Sequence, residues 1–165
     1  MKLSFSIAAL PDVPALAALH TSVAEDLTLH YGRGPWSWRT TEKGVMLGMR
    51  HSRVLVAHKG NAIVGTLRLA TKKTWAIDVS YFAPVEKALY LTSMAVIPTM
   101  QRQGIGRLLV AEAVKQARAW LANAIRLDAF DADAGAGAFY AKCGFREVGR
   151  VTYRKAPLVY FELVL

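Results

Sequence analysis

The segment Gln101-Arg102-Gln103-Gly104-Ile105-Gly106 is where residue type and spacing first point to chemistry. A strand-like run, Tyr90 to Ile97, leads into Pro98, and a long amphipathic pattern begins at Ile105. Strand, short glycine loop and helix start in succession aim backbone N–H groups at one spot, with the positive end of the helix dipole behind them. A phosphate or pyrophosphate is the natural occupant. Gly104 and Gly106 lack the Cβ atoms that would hold a bulky anion off the backbone. Gln101, Arg102, Gln103 and Arg107 add donors and charge at the rim. Taken alone, this loop suits any phosphate.

The rest of the composition narrows the class. At 165 residues, the chain is expected to be one domain (1–165) with its own core. Its 53% hydrophobic and 20% charged residues suit a globular protein. No apolar run approaches the roughly 20 residues that span a bilayer, so no membrane partner is expected. Leu3, Phe5 and Ile7 alternate with Ser4 and Ser6, which reads as a half-buried strand rather than a signal peptide and implies a cytoplasmic protein. Cys143 is the single cysteine, so an intramolecular disulfide is impossible and no metal site is expected. Cys143 reads as a small apolar side chain on a helix end. The net charge of +9 favours anionic partners. No run of five or six basic residues marks a tail, so small molecules are expected ahead of nucleic acid.

Hydrophobic periodicity supplies the elements that must position the loop. Leu3 to Ala8 reads as a strand, and Asp12 as the cap of a helix carrying Leu16, Leu19, Val23 and Leu27 on one face. Thr40 or Thr41 starts a second helix to about Met49. Val54 to His58, the Lys59-Gly60-Asn61 turn and Ala62 to Ala70 form a hairpin. Ala88 to Ile97 is the strand before the glycine loop. Gly104 to Asn123 is a helix with Ile105, Leu108, Leu109, Ala113, Ala117, Trp120 and Leu121 on its face. Ala124 to Phe130 is a strand, Asp133 caps a helix through Lys142, and Phe145 to Tyr153 and Leu158 to Leu165 are strands. The order β-α-α-β-β-β-α-β-α-β-β predicts an α/β (α+β) mixed sheet with helices on both faces. The apolar last strand, Leu158 to Leu165, is a candidate for joining sheets in a homodimer.

From Tyr90 onward the chain resembles the GNAT N-acetyltransferase superfamily. Met94-Ala95-Val96-Ile97-Pro98 followed by Gln101 to Gly106 fits the family's Gln/Arg-x-x-Gly-x-Gly/Ala loop. Phe139-Tyr140-Ala141-Lys142-Cys143-Gly144-Phe145 fits its Phe-Tyr-x-Lys-x-Gly-Phe segment. A lone Gly-x-Gly is a weak signal, but the two segments stand at the family's spacing. Residues 1 to 89 fit the family's element order without a comparable motif.

The resemblance implies an acetyl-CoA-dependent N-acetyltransferase that acts by direct attack of a primary amine in a ternary complex. The amine would belong to a small molecule or an exposed protein amine. Gln101, Arg102, Gln103, Gly104, Ile105, Gly106 and Arg107 would hold the pyrophosphate of acetyl-CoA. Met94, Ala95 and Val96 would offer backbone groups to its pantetheine arm, where the strand splays at a bulge from Ala124 to Phe130. The Val96 N–H would stabilise the oxyanion and Tyr140 would protonate the departing thiolate. The family's acceptor site points to His30, Tyr31, Trp36, Trp38 and Ser93. Trp36 and Trp38 suit either a pocket lining or a plug beneath the loop. Many family members carry a glutamate on the strand before the loop, but Leu91-Thr92-Ser93-Met94 holds no carboxylate. Glu25, Asp26, His30 and Glu86 are candidates from elsewhere, beside a water chain or capture of the neutral amine. The missing glutamate keeps open an alternative, a non-catalytic acyl-CoA-binding module or sensor. Asp133 stands where asparagine is common in the family and receives no binding role.

Overall fold

The computed structural model describes residues 2–165. The elements follow the expected order: β1 (Ser4–Ile7), α1 (Val13–Tyr31), α2 (Glu42–Met49), β2 (Ser52–Lys59), β3 (Ala62–Ala70), β4 (Ala88–Val96), α3 (Ile105–Ala119), β5 (Ala124–Phe130), α4 (Gly137–Lys142), β6 (Arg146–Tyr153) and β7 (Ala156–Val164). The strands form one mixed seven-stranded sheet in the order β1-β2-β3-β4-β5-β7-β6. The N-terminal alternation is indeed a sheet strand, paired antiparallel with β2 from Ser4 opposite His58 to Ile7 opposite Leu55.

The helices divide between the two faces because β2 is apolar on both sides. Val54 and Val56 pack with Leu16 of α1 and with Val45 and Met49 of α2. Their neighbours Leu55 and Ala57 point the other way and join Ile105, Leu109 and Ala113 of α3. Leu16, Leu55 and Leu109 are essentially fully buried, and each such side chain contributes about 1.5–3 kcal/mol relative to exposure.

Four expectations are corrected. Asp12 stands at the N-cap of α1 but its side chain makes no cap bond; its carboxylate accepts from Ala9 N at 2.8 Å and holds the 3-10 turn ahead of the helix. Asp133 does not cap α4, which begins four residues later with Ala136 at its N-cap and no side-chain cap. The face of α3 contains Val110 rather than Leu108, which is 49% exposed, and Leu121 lies beyond the helix end at φ 59. Finally, β7 lies between β5 and β6, so both its edges are used within the chain and it cannot join a second sheet.

Thr41 does cap α2, its Oγ1 accepting from Gly44 N at 3.1 Å. The irregular stretch 71–87 is tied to the sheet by buried polar groups. Arg126 reaches Glu162 through Nε at 3.3 Å, Tyr90 Oη through Nη1 at 3.2 Å and Ala83 O through Nη2 at 2.8 Å. Ala83 N donates to the second Glu162 oxygen at 3.1 Å, and Tyr160 Oη donates to Ala76 O at 2.5 Å.

Candidate active site

β4 and β5 run parallel but pair only from Ala88–Ala124 to Tyr90–Arg126. Beyond that point they part, while β4 stays on β3. The β3–β4 register slips between Thr66 and Arg68, so that β4 carries one extra residue between Thr92 and Ala95. Ser93 takes the strain with φ 51, an uncommon backbone for a serine. The bulge re-aims the strand, and the parting opens a cleft of about 590 Å³.

The cleft gathers Met94, Ala95, Val96, Gln101, Arg102, Gly104, Ile105, Gly106, Arg107 and Tyr140. Gln103 is the one loop residue that does not line it. The first bond of α3 runs from Leu108 N to Gly104 O at 3.1 Å. The N–H groups of Ile105, Gly106 and Arg107 therefore have no acceptor inside the helix. Arg102 and Gly104 both adopt positive φ, 60 and 85, which turns the loop back on itself ahead of those donors.

The two loop glycines do different work. A Cβ on Gly104 would meet nothing within 4 Å; what the site requires is the left-handed backbone. A Cβ on Gly106 would meet the Phe139 ring at 3.1 Å and Met94 Cε at 3.3 Å. Gly106 thus lets α4 and β4 close against the start of α3, a packing role that spacing alone did not show.

The Val96 amide has the orientation an anion would use. Ile97 N donates to Val64 O at 2.9 Å, toward β3. Successive N–H groups along a strand point to opposite edges, so Val96 N–H faces the parted side. Gln101 Nε2 donates to Val96 O at 3.1 Å and fixes the loop to the strand.

Tyr140 closes the floor. It is 7% exposed and packs edge-on against Phe139 and Phe145. Its hydroxyl donates to Met94 Sδ at 3.5 Å. Burial, and then the neighbouring Cys143 and Asp128, raise the phenol well above its ordinary range, so it holds its proton at neutral pH. Burial also raises the Cys143 thiol, opposed by Arg107, which fits a packing role rather than a reactive one.

The sequence pattern of the acetyltransferase (GNAT) family matches residues 19–145. The chain belongs to that family. No curated protein matches the chain in sequence. Among solved structures, a ribosomal-protein-alanine N-acetyltransferase from Brucella melitensis superposes with TM-score 0.76 at 21% identity, over 98% of this chain and 99% of that one. The PaiA N-acetyltransferase from Thermoplasma acidophilum in complex with coenzyme A gives 0.74 at 15% identity, over 97% and 98%. YncA from Salmonella typhimurium with its cofactor acetyl-CoA gives 0.71 at 16% identity, over 99% and 94%. At these identities the likeness is one of GNAT fold.

The remaining candidates of this GNAT chain are scattered. Trp38 is 81% exposed and Tyr31 49% exposed, and neither lines the cleft. His30 sits on the outside of α1, its Nδ1 2.8 Å from Asp26 O and 3.4 Å from the Asp26 carboxylate. Trp36 donates from Nε1 to Gly32 O at 2.9 Å and meets Phe130, the last residue of β5, edge-on at 6.0 Å between centroids. Through Trp36 the loop after α1 thus reaches the end of the splayed strand. Glu25 lines a separate surface groove with Thr28 and Arg33, and Glu86 is exposed. Among the described residues, no carboxylate or imidazole lines the cleft.

Ser93 opens on a second, smaller cavity of about 100 Å³ under α1 and α2, together with His20 and Arg68. Neither His20 nor Arg68 was singled out from sequence. A lone arginine inside Ala62-Ile63-Val64-Gly65-Thr66-Leu67-Arg68-Leu69-Ala70 is the signal that marks it. Among the described residues, no cluster of three or more His, Cys, Asp or Glu is placed to hold a metal, and no helix is long and apolar enough to cross a membrane.

Proposed function

We propose that this protein is an acetyl-CoA-dependent N-acetyltransferase that acetylates a primary amine of a small molecule or an exposed protein amine by direct attack in a ternary complex. The carrying observation is the cleft itself: the parted β4 edge, the start of α3 and the Tyr140 hydroxyl converge on one space. The cradle fits a pyrophosphate, with Arg102, Arg107 and the free N–H groups at its rim and Gly104 supplying the reversed backbone. The coenzyme A and acetyl-CoA complexes of PaiA and YncA, on the same fold, support this assignment.

Acetyl-CoA, when bound, supplies a thioester whose acetyl group passes to the amine with release of the thiol. Val96 N–H offers a fixed donor to the developing oxyanion, and one such donor is worth about 2.7–4 kcal/mol where tested. The buried Tyr140 holds the proton that the departing sulfur needs and recovers it from the proton the amine gives up to water. The strand edge contributes by orientation, which in favourable cases supplies roughly 7–11 kcal/mol. Thiol release, followed over amino acids, polyamines, aminoglycosides and peptides, is the test. Acetyl-CoA-dependent release with at least one acceptor class is expected.

A second reading, an acyl-CoA-binding module without turnover, is favoured by the absence of a carboxylate or imidazole along the cleft. Tight acetyl-CoA binding with no thiol release for any acceptor would establish it.

A further inference from the structure

Arg68 is a cation placed where a fold would not leave one without a reason. It lies in mid-strand on β3, directed under α1 and α2 into the small cavity it shares with His20, Thr40, Thr66 and Ser93. Its Nε donates to Thr92 Oγ1 at 3.0 Å, across the β3–β4 pair. Among the described residues no carboxylate lies within ion-pair distance of it, and Nη1 and Nη2 make no hydrogen bond to the protein and stay open to solvent in the cavity. The placement is built in: Nη1 rests against Gly48 of α2, where any Cβ would collide with it. Burial depresses the guanidinium below its ordinary range, and a half-buried cation with free donors calls for an anion.

The cavity also adjoins the cleft. Ser93 and Met94 are consecutive on β4, yet Ser93 opens on the cavity and Met94 on the cleft. Along α1, Leu16 and His20 line the cavity while Val23 and Leu27 line the cleft. His20 to Val23 is a rise of about 4.5 Å. Consecutive residues of β4 and neighbouring turns of α1 thus line the two spaces. Ser93 is exposed, which gives the cavity a mouth at that junction.

We propose that this cavity receives a carboxylate carried by the acetyl acceptor, so that the substrate is a small amine with its own carboxyl group, held by the free Nη1/Nη2 edge of Arg68 while its nitrogen passes Ser93 toward the cleft. This rests on the transferase reading above. It explains the unpaired arginine, the glycine beneath it and the strained serine with one ligand. Thr66 Oγ1 is occupied by Leu55 O at 2.8 Å and is not part of the grip. His20, which burial and Arg68 keep neutral, offers a ring N–H or lone pair without adding charge.

The test separates binding from turnover. Acetate, the smallest carboxylate, is titrated into the protein while the His20 ring is followed by NMR. A saturable shift is expected, weakened about tenfold or more in Arg68→Met, as for loss of one charged hydrogen-bonding partner. Gly48→Ala, which displaces the guanidinium while favouring the helix, should weaken it as well without loss of stability. No saturable shift in the wild type, or an equal one in Arg68→Met, overturns the proposal. Inorganic phosphate replaces acetate in a parallel arm, and binding of phosphate alone overturns the choice of a carboxylate. Turnover is then compared across amino acids and their amides, with phosphoethanolamine as the phosphate counterpart. The acid is expected to exceed its amide about tenfold in kcat/KM, a gap that closes in Arg68→Met. Equal rates for acid and amide overturn the proposal with the transferase reading intact. Acetate binding without turnover of any acceptor overturns the transferase reading instead, and with it the acceptor role.

Discussion

The hydroxyl of Tyr140 donates to Sδ of Met94 across 3.5 Å, joining α4 to β4 at the level where β4 has left β5. The contact holds the phenol at the cleft floor without giving it a strong acceptor. Its proton stays available, and burial raises the energy of the phenolate. Tyr140→Phe keeps the ring packing and removes only the proton. It is expected to lower kcat by about 10²-fold or more, within the range for a general acid, with little change in acetyl-CoA affinity. Steady-state kinetics beside a direct binding titration separate the two. Because the phenol titrates above its ordinary range, the wild type should show no loss of rate from this group as pH rises through 9. A rate unaffected by Tyr140→Phe would mean that the thiolate leaves without this acid.

Gly104 is the second point of attack. Its φ of 85 disfavours any side chain, at about 1–2 kcal/mol. Gly104→Ala should lower stability by that order while leaving acetyl-CoA binding measurable, since a methyl there meets nothing within 4 Å. Gly104→Glu adds a negative charge at the free N–H groups and is expected to abolish binding. Calorimetric titration on variants checked for folding by circular dichroism reads both. Unchanged affinity in folded Gly104→Glu would remove the anion-cradle assignment.

The glycine loop was legible because it is local: Gln101 to Gly106 must sit between a strand and a helix, and backbone donors follow from that alone. The element order was legible for the same reason, since local signals such as the Lys59-Gly60-Asn61 turn and the onset of helical spacing at Ile105 mark the boundaries. What spacing could not show is which residues face each other across chain distance. Gly106 lines the cleft and is also a seat for Phe139, which follows more than thirty positions later. Asp133 looked like a cap because aspartate caps helices, yet α4 starts later, at Gly137. His30, Tyr31 and Trp38 were grouped by the family's acceptor site, and spacing could not show that His30 and Tyr31 are exposed on the last turn of α1. Arg68 and His20 meet only because β3 and α1 pack face to face.

His20 yields a pH prediction. Its pKa is lowered from 6.5 to about 4, first by burial and then by Arg68. Between those values the unfolded chain binds a proton that the folded chain refuses, so stability falls as pH drops from 6.5 toward 4. The loss amounts to about 3 kcal/mol in all. Above 6.5 both states are neutral and the group contributes nothing. His20→Gln is expected to flatten this acid limb, and Arg68→Met to shrink it by removing the second cause. Urea titrations at several pH values between 4 and 7 measure the slope. An acid limb identical in wild type and His20→Gln would assign it to other groups.

The last prediction concerns Glu162 and Arg126, which are 2% and 7% exposed and make one network with Ala83 and Tyr90. Glu162→Ala removes the countercharge from a buried guanidinium and the acceptor from Ala83 N. Such a break costs about 3–5 kcal/mol. Replacing both partners by apolar residues, Arg126→Met with Glu162→Leu, removes the orphaned charge and should recover much of that loss. It does not restore the anchor of Ala83, so the stretch 71–87 should still exchange its amide protons faster than in the wild type. Denaturant midpoints report the first effect and hydrogen exchange the second. If the double variant is as unstable as Glu162→Ala, the burden lies in lost packing rather than in an unpaired charge. If amide exchange across 71–87 is unchanged, this stretch is held chiefly by the Tyr160 bonds to Ala76 and Asp78.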